Sequence, residues 1–142
     1  MIPAVIDDVR RDPPRRAPLR VLLVEDSSKL QERLRETLDG VAGVELAGTV
    51  DTETDAVEAI RRARCDAVIL DLHLRRGTGF GVLREVARHA SRAPAVVVFT
   101  NYDLPEYRRM AQSLGVRHFL DKAREYERLP VILEELRDDR AR

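Results

Sequence analysis

The sequence predicts an α/β fold, a doubly wound parallel sheet of five strands with helices on both faces. Three observations predict it. Five short apolar runs recur along the chain, segments of helical spacing separate them, and the runs begin near residues 19, 44, 67, 95 and 116. Intervals of about 20 to 30 residues are what repeated strand–helix–strand units require. Three of the runs are nearly all apolar rather than alternating, which indicates strands buried on both faces.

Taken in order, residues 1–18 (MIPAVIDDVRRDPPRRAP) hold four prolines, four arginines and three aspartates with no sustained periodicity. A Pro-rich, charged stretch cannot bury enough apolar surface to order itself, so a flexible arm is expected there. The alternative is a short amphipathic turn built on Ile2, Val5, Ile6 and Val9. The folded domain is expected over 19–142. Leu19–Val24, Ala67–Leu70 and Ala95–Phe99 are the strong strand candidates; Val44–Thr49 and Val116–Leu120 are weaker ones. Leu30, Leu34 and Leu38 mark the first helix, and Ala56, Ile60 and Ala63 the second. Val82, Leu83, Val86 and Ala87 form a third stripe, and Leu129, Ile132, Leu133 and Leu136 a last one. Pro105–Leu114 is the least regular helical segment, although proline suits a first helical turn.

Composition narrows the function. The chain has 142 residues, 44% hydrophobic and 35% charged, as soluble single domains have. No apolar run approaches the roughly 20 residues that span a bilayer. One cysteine, Cys65, leaves no internal disulfide, and the cytoplasm is the expected compartment. Net charge is zero, and the arginine pairs 61–62, 75–76 and 108–109 interleave with acids without aromatic partners. Nucleic acid and membrane are therefore not expected partners. His73, His89 and His118 show no zinc-ligand spacing, and no P-loop is present.

In open α/β sheets, ligands bind beyond the carboxyl ends of the strands. Glu25 and Asp26 follow the first run, Asp71 the third, Thr100 and Asn101 the fourth, and Asp121 and Lys122 the fifth. Lys122 is one of only two lysines, the other being Lys29. Each residue alone has an ordinary reading. Acids after strands form turns and cap helices, and Asp26 or Ser27 could cap the first helix. Together they suggest chemistry. Three carboxylates at one edge repel one another unless a hard divalent cation such as Mg²⁺ joins them. An aspartate can also be a nucleophile towards phosphorus, while a lysine and a hydroxyl cover the phosphoryl oxygens. These parts suit phosphoryl acceptance on Asp71.

Leu22–Ser27 (LLVEDS), Val68–Leu74 (VILDLHL) with Gly77–Gly79 (GTG), Val97–Thr100 (VVFT) and Gly115–Lys122 (GVRHFLDK) together resemble the motifs of the CheY-like receiver domains of two-component response regulators. The resemblance covers roughly residues 19–138. It implies a flavodoxin-like (βα)5 sheet in the order 2-1-3-4-5. It also implies Mg²⁺ held by Glu25, Asp26, Asp71 and the backbone carbonyl of His73, with Asp71 as phosphoacceptor. Thr100 would contact the phosphoryl group and Lys122 would bridge it, while Thr100 and Phe119 would act as switch residues. The implied donor is a sensor histidine kinase or phosphotransfer protein. The chain ends soon after the fifth helix, so output is expected through a downstream protein target or a homodimer at the helix 4–strand 5–helix 5 face. That face would carry Glu106, Tyr107, Arg109, Glu125, Arg128 and Glu135. No enzyme activity is expected beyond the chain's own phosphorylation and dephosphorylation. Arg75 and Ala123 stand where many members have proline, and Asn101 and His73 are bulky at positions beside the site, which bears on rates. Two other readings are an unphosphorylated pseudo-receiver scaffold and a metal-dependent phosphohydrolase. The latter lacks a second acid two residues after Asp71.

Overall fold

Neighbouring residues of each central strand feed two separate cores. Val21 and Leu23 of β1 (Leu19–Val24) pack on one side of the sheet, and Leu22 and Val24 on the other. The same division splits Ala67 and Ile69 from Val68 and Leu70 in β3 (Ala67–Leu70). In β4 (Ala95–Thr100) it splits Val97 and Phe99 from Val96 and Val98. Successive side chains of a strand point to opposite faces, so a sheet covered on both faces needs uninterrupted apolar runs. Each such side chain, fully buried, contributes about 1.5–3 kcal/mol.

The computed structural model describes residues 17–140 apart from 63, 90 and 91. The arm expected at 1–18 therefore lies outside the described residues except for its last two, and Ala63 of the second stripe lies outside them too. The sheet is parallel, in the order β2-β1-β3-β4-β5, with β2 at Val44–Val50 and β5 at His118–Asp121. This is the flavodoxin-like arrangement. Helices α1 (Ser28–Asp39) and α5 (Arg128–Arg140) supply Leu34, Leu38, Leu129 and Leu133 to the first core. Helices α2 (Glu53–Arg62), α3 (Gly79–Arg88) and α4 (Pro105–Ser113) supply Ala56, Val82, Leu83 and Ala111 to the second. Among the described residues no helix is long and apolar enough to cross a membrane.

Three expectations shift in detail. Strand β5 starts two residues later than Val116, which is buried but serves the second core from the preceding turn. In α3, Ala87 is exposed and Glu85 is buried instead, because Glu85 has partners that the sequence pattern does not display. The α4 segment is a regular helix with Pro105 in its first turn. Pro18 at the domain's start is held by the Arg140 guanidinium, which donates to its carbonyl at 2.6 Å.

Candidate functional site

Backbone pairing at the carboxyl edge fixes the site before any side chain is considered. Asp71 N–H donates to the Val24 carbonyl at 3.0 Å, and Glu25 N–H to the Val50 carbonyl at 3.0 Å. Lys122 N–H donates to the Thr100 carbonyl at 3.0 Å. The residues leaving β1, β3, β4 and β5 are thus stitched side by side. The turn into α1 is capped by Ser27, whose hydroxyl accepts from Leu30 N–H at 3.3 Å, so Asp26 is not the cap. Leaving β3, the chain turns through Gly77, whose φ of 77° suits glycine. At Gly79 a Cβ would lie 2.8 Å from the Leu72 Cα, so only glycine lets α3 begin this close to Asp71's own loop.

Side chains then converge. Lys122 Nζ lies 2.5 Å from Glu25 Oε1 and 2.7 Å from Asp71 Oδ2. Glu25 Oε2 accepts Ser27 N–H at 3.0 Å, and Asp71 Oδ1 accepts His73 N–H at 3.3 Å. Carboxylate oxygens of Glu25, Asp26 and Asp71 all lie within 4.8 Å of one another. Glu25 is buried, and that burial raises its pKa, with the Asp71 charge adding to it against the opposing pull of Lys122 and Ser27. For Lys122, burial favours the neutral amine, but the hydrogen bonds and charges of Asp71 and Glu25 outweigh it and the pKa is raised. The ammonium is therefore fixed as a cation.

One ammonium cannot balance three carboxylates. Asp26 is exposed, and the Asp71 side chain, at 7% exposure, still reaches solvent. Hard oxygen donors in excess negative charge, open on one side, fit a divalent cation of the Mg²⁺ type. Thr100 is fully buried and its hydroxyl accepts Tyr102 N–H at 3.3 Å. Among the described residues no hydrogen bond joins it to Asp71. Phe119 is half-buried against the second core, with the Arg108 guanidinium 4.7 Å over its ring. Arg108 is held in turn by Asp103.

A profile of the response regulator receiver domain matches residues 21–134. The chain belongs to that family. A methylesterase/glutaminase of Myxococcus xanthus is 38% identical to this receiver over 85 residues, 60% of this chain and 24% of that protein. The sensory transduction protein LytT of Bacillus cereus is 30% identical over 111 residues, 78% of this chain and 44% of LytT. The chain thus spans between about a quarter and a half of the length of these relatives. Among solved structures, the receiver of a Pseudomonas aeruginosa sensor histidine kinase has a TM-score of 0.72 at 25% identity, over 86% of this chain and 99% of that one. That structure has a magnesium ion coordinated in its active-site cleft. The receiver of a putative LuxO repressor from Vibrio parahaemolyticus gives a TM-score of 0.77 at 25% identity, over 86% of this chain and 92% of its own.

The receiver's structure brings Glu25, Asp26, Asp71 and Lys122 together and leaves Thr100 and Phe119 nearby. Two side-chain contacts beside the site are not predicted by the sequence. Asp51 takes the Arg75 guanidinium in a fork at 3.0 and 3.2 Å. Its pKa is lowered, chiefly by that hydrogen bond. Arg75 N–H also donates to the Asp51 carbonyl at 3.1 Å, a bond that proline could not make. The other is that of His73, whose ring stacks on Tyr102 at 3.7 Å between centroids across the loops that leave β3 and β4. Aromatic rings beside a strand exit were the available signal.

Proposed function

We propose that this receiver accepts a phosphoryl group on Asp71 from a histidine kinase or phosphotransfer protein and signals through protein–protein contacts. The observation that carries the proposal is the shared ammonium: Lys122 bridges Glu25 and Asp71 while Asp26 completes a three-acid cluster. In the transfer, an Asp71 carboxylate oxygen forms a bond to phosphorus as the donor's phosphorus–nitrogen bond breaks. The electron pair stays on the donor nitrogen, and the imidazole leaves as a neutral ring because its other nitrogen carries a proton. Glu25, Asp26, Asp71 and the His73 carbonyl would hold Mg²⁺, whose positive charge would neutralise the phosphoryl oxygens. Lys122 adds a fixed cation beside the reacting carboxylate. Because the Thr100 oxygen already accepts from Tyr102, its O–H proton is free to donate to a phosphoryl oxygen.

Output is proposed at the face of α4, β5 and α5, where Glu125 pairs with Arg128 at 2.6 Å and Leu104 and Met110 are exposed. A shift in this face on phosphorylation, carried by Thr100 and Phe119, would expose or reshape it for a partner or a second copy. The departures that would favour an unphosphorylated scaffold do not close the pocket. Asn101 is exposed, and the Arg75 side chain is drawn away to Asp51.

The test is incubation with Mg²⁺ and a small-molecule phosphodonor, read by intact mass. One added phosphoryl group is expected, and none in Asp71→Asn or without the metal. A wild-type protein that gains no mass, or an Asp71→Asn variant that gains it equally, rules the proposal out.

A further inference from the structure

The opposite edge of the sheet carries a second, differently charged site. An open cavity of about 680 Å³ lies where β3 and β4 begin and where α2 and α3 end. Arg61, Arg62, Arg64, Arg92 and His89 line it, against one carboxylate, Asp66. That carboxylate is already engaged elsewhere, accepting Arg20 N–H at 2.8 Å and facing Arg140 at 3.3 Å. Ile60, Cys65 and Pro94 supply an apolar floor.

Two of these side chains are held in place by a buried acid. Glu85, on α3, is only 4% exposed, and Arg61 Nη2 donates to its Oε1 at 2.7 Å while His89 Nε2 lies 3.6 Å from its Oε2. Burying a carboxylate is costly unless it is paired, so this glutamate fixes where its partners stand. Its partners come from two helices and both line the cavity. Among the described residues Arg62 is tied only to exposed Glu58 at 2.8 Å, a pair of little energetic weight. Arg64 and Arg92 carry no ion pair among the described residues. In a chain of zero net charge, this local excess of guanidinium calls for an anion from outside. Guanidinium favours oxyanions of phosphate type, and a volume of this size takes a small ligand.

We infer that this cavity binds a small organic phosphate, with the phosphate between Arg64 and Arg92 and an apolar or planar body over Ile60, Cys65 and Pro94. The site is separate from the Asp71 cluster and does not depend on its phosphorylation.

The probe is adenosine monophosphate, titrated in metal-free buffer into the isotope-labelled full chain and followed by amide and histidine NMR shifts. Saturable shifts are expected at Arg64, Cys65, His89 and Arg92. The double variant Arg64→Ala/Arg92→Ala should bind about tenfold more weakly or worse through loss of charge-assisted bonds. Both positions are exposed, so unchanged phosphorylation at Asp71 serves as the folding control. Inorganic phosphate, lacking an apolar body, should bind about tenfold more weakly than the nucleotide. Non-saturating shifts, shifts centred on Asp26 and Asp71, an unaffected double variant, or phosphate binding as tightly as the nucleotide would each overturn the inference.

Discussion

Glu25 and Glu85 expose almost equally little surface, 2% and 4%, yet their carboxyls are pushed in opposite directions. Glu25, at the carboxyl edge of the sheet, is raised, first by burial. Glu85, at the amino edge, is lowered, first by its hydrogen bond from Arg61. Exposed surface alone does not decide the sign. Glu25 shares one ammonium with Asp71 and has Asp26 close by, whereas Glu85 has a guanidinium of its own and a histidine beside it. A carboxylate with a private cation is a settled structural pair. A carboxylate that must share is poised for another cation, and that is the condition a phosphoryl-transfer site needs.

The most forceful way to break the comparison is to remove the shared cation. Lys122→Ala leaves Glu25 and Asp71 facing each other with no ammonium between them, and uncompensated buried charge costs about 3 kcal/mol. In metal-free urea denaturation at pH 7 the variant's midpoint should drop accordingly. Lowering the pH should recover part of the loss, as the stranded carboxyls take up protons. A variant as stable as the wild type would show that Lys122 is not what holds the acids together.

A second comparison uses pH, and its two arms have opposite signs. A raised carboxyl such as Glu25 stabilises the fold below its unfolded value of about 4.3, and that contribution is lost as pH rises through the raised folded value. A lowered carboxyl such as Glu85 contributes above about 4.3 and loses its contribution as pH falls through the lowered value. Metal-free wild type should therefore lose ground against Glu25→Gln as pH rises from 4 to 7. Over the same interval it should gain ground against Glu85→Gln. Denaturation midpoints at a series of pH values check both slopes, and parallel slopes would mean that the two glutamates are not electrostatically distinct.

The two edges were unequally legible in the sequence. The fold was readable because double burial forces uninterrupted runs such as VLLV and AVIL, and such runs survive without tertiary knowledge. The carboxyl-edge cluster was readable for a related reason: each of its residues ends a strand or lies within two residues of its end, and a parallel sheet delivers all strand exits to one edge. Strand β5 was misplaced at its start because Val116 is apolar for the sake of the second core while lying in a turn. Glu85 was invisible. Its partner Arg61 is 24 positions away on another helix, and no local pattern couples them. The same holds for Arg75 and Asp51, also 24 positions apart, which join two loops rather than two elements of regular spacing.

The gentlest change removes one charge from the crowded edge without touching the buried pair. Asp26 is exposed, so Asp26→Asn relieves repulsion on Glu25 and Asp71 only through solvent-screened distance. The metal-free protein should gain roughly 0.5 kcal/mol at pH 7, the scale of an exposed charge interaction. Its response to metal should change far more. Added Mg²⁺ should raise the wild-type midpoint by binding the folded state alone, and should raise the variant's little, because one of the three carboxylate donors has lost its charge. The counterpart at the amino edge is Glu85→Gln, which leaves the acid cluster intact, so Mg²⁺ should raise its midpoint as much as it raises the wild type's. If wild type and Asp26→Asn respond equally to the metal, the cation is not held by the acids that gather around Lys122.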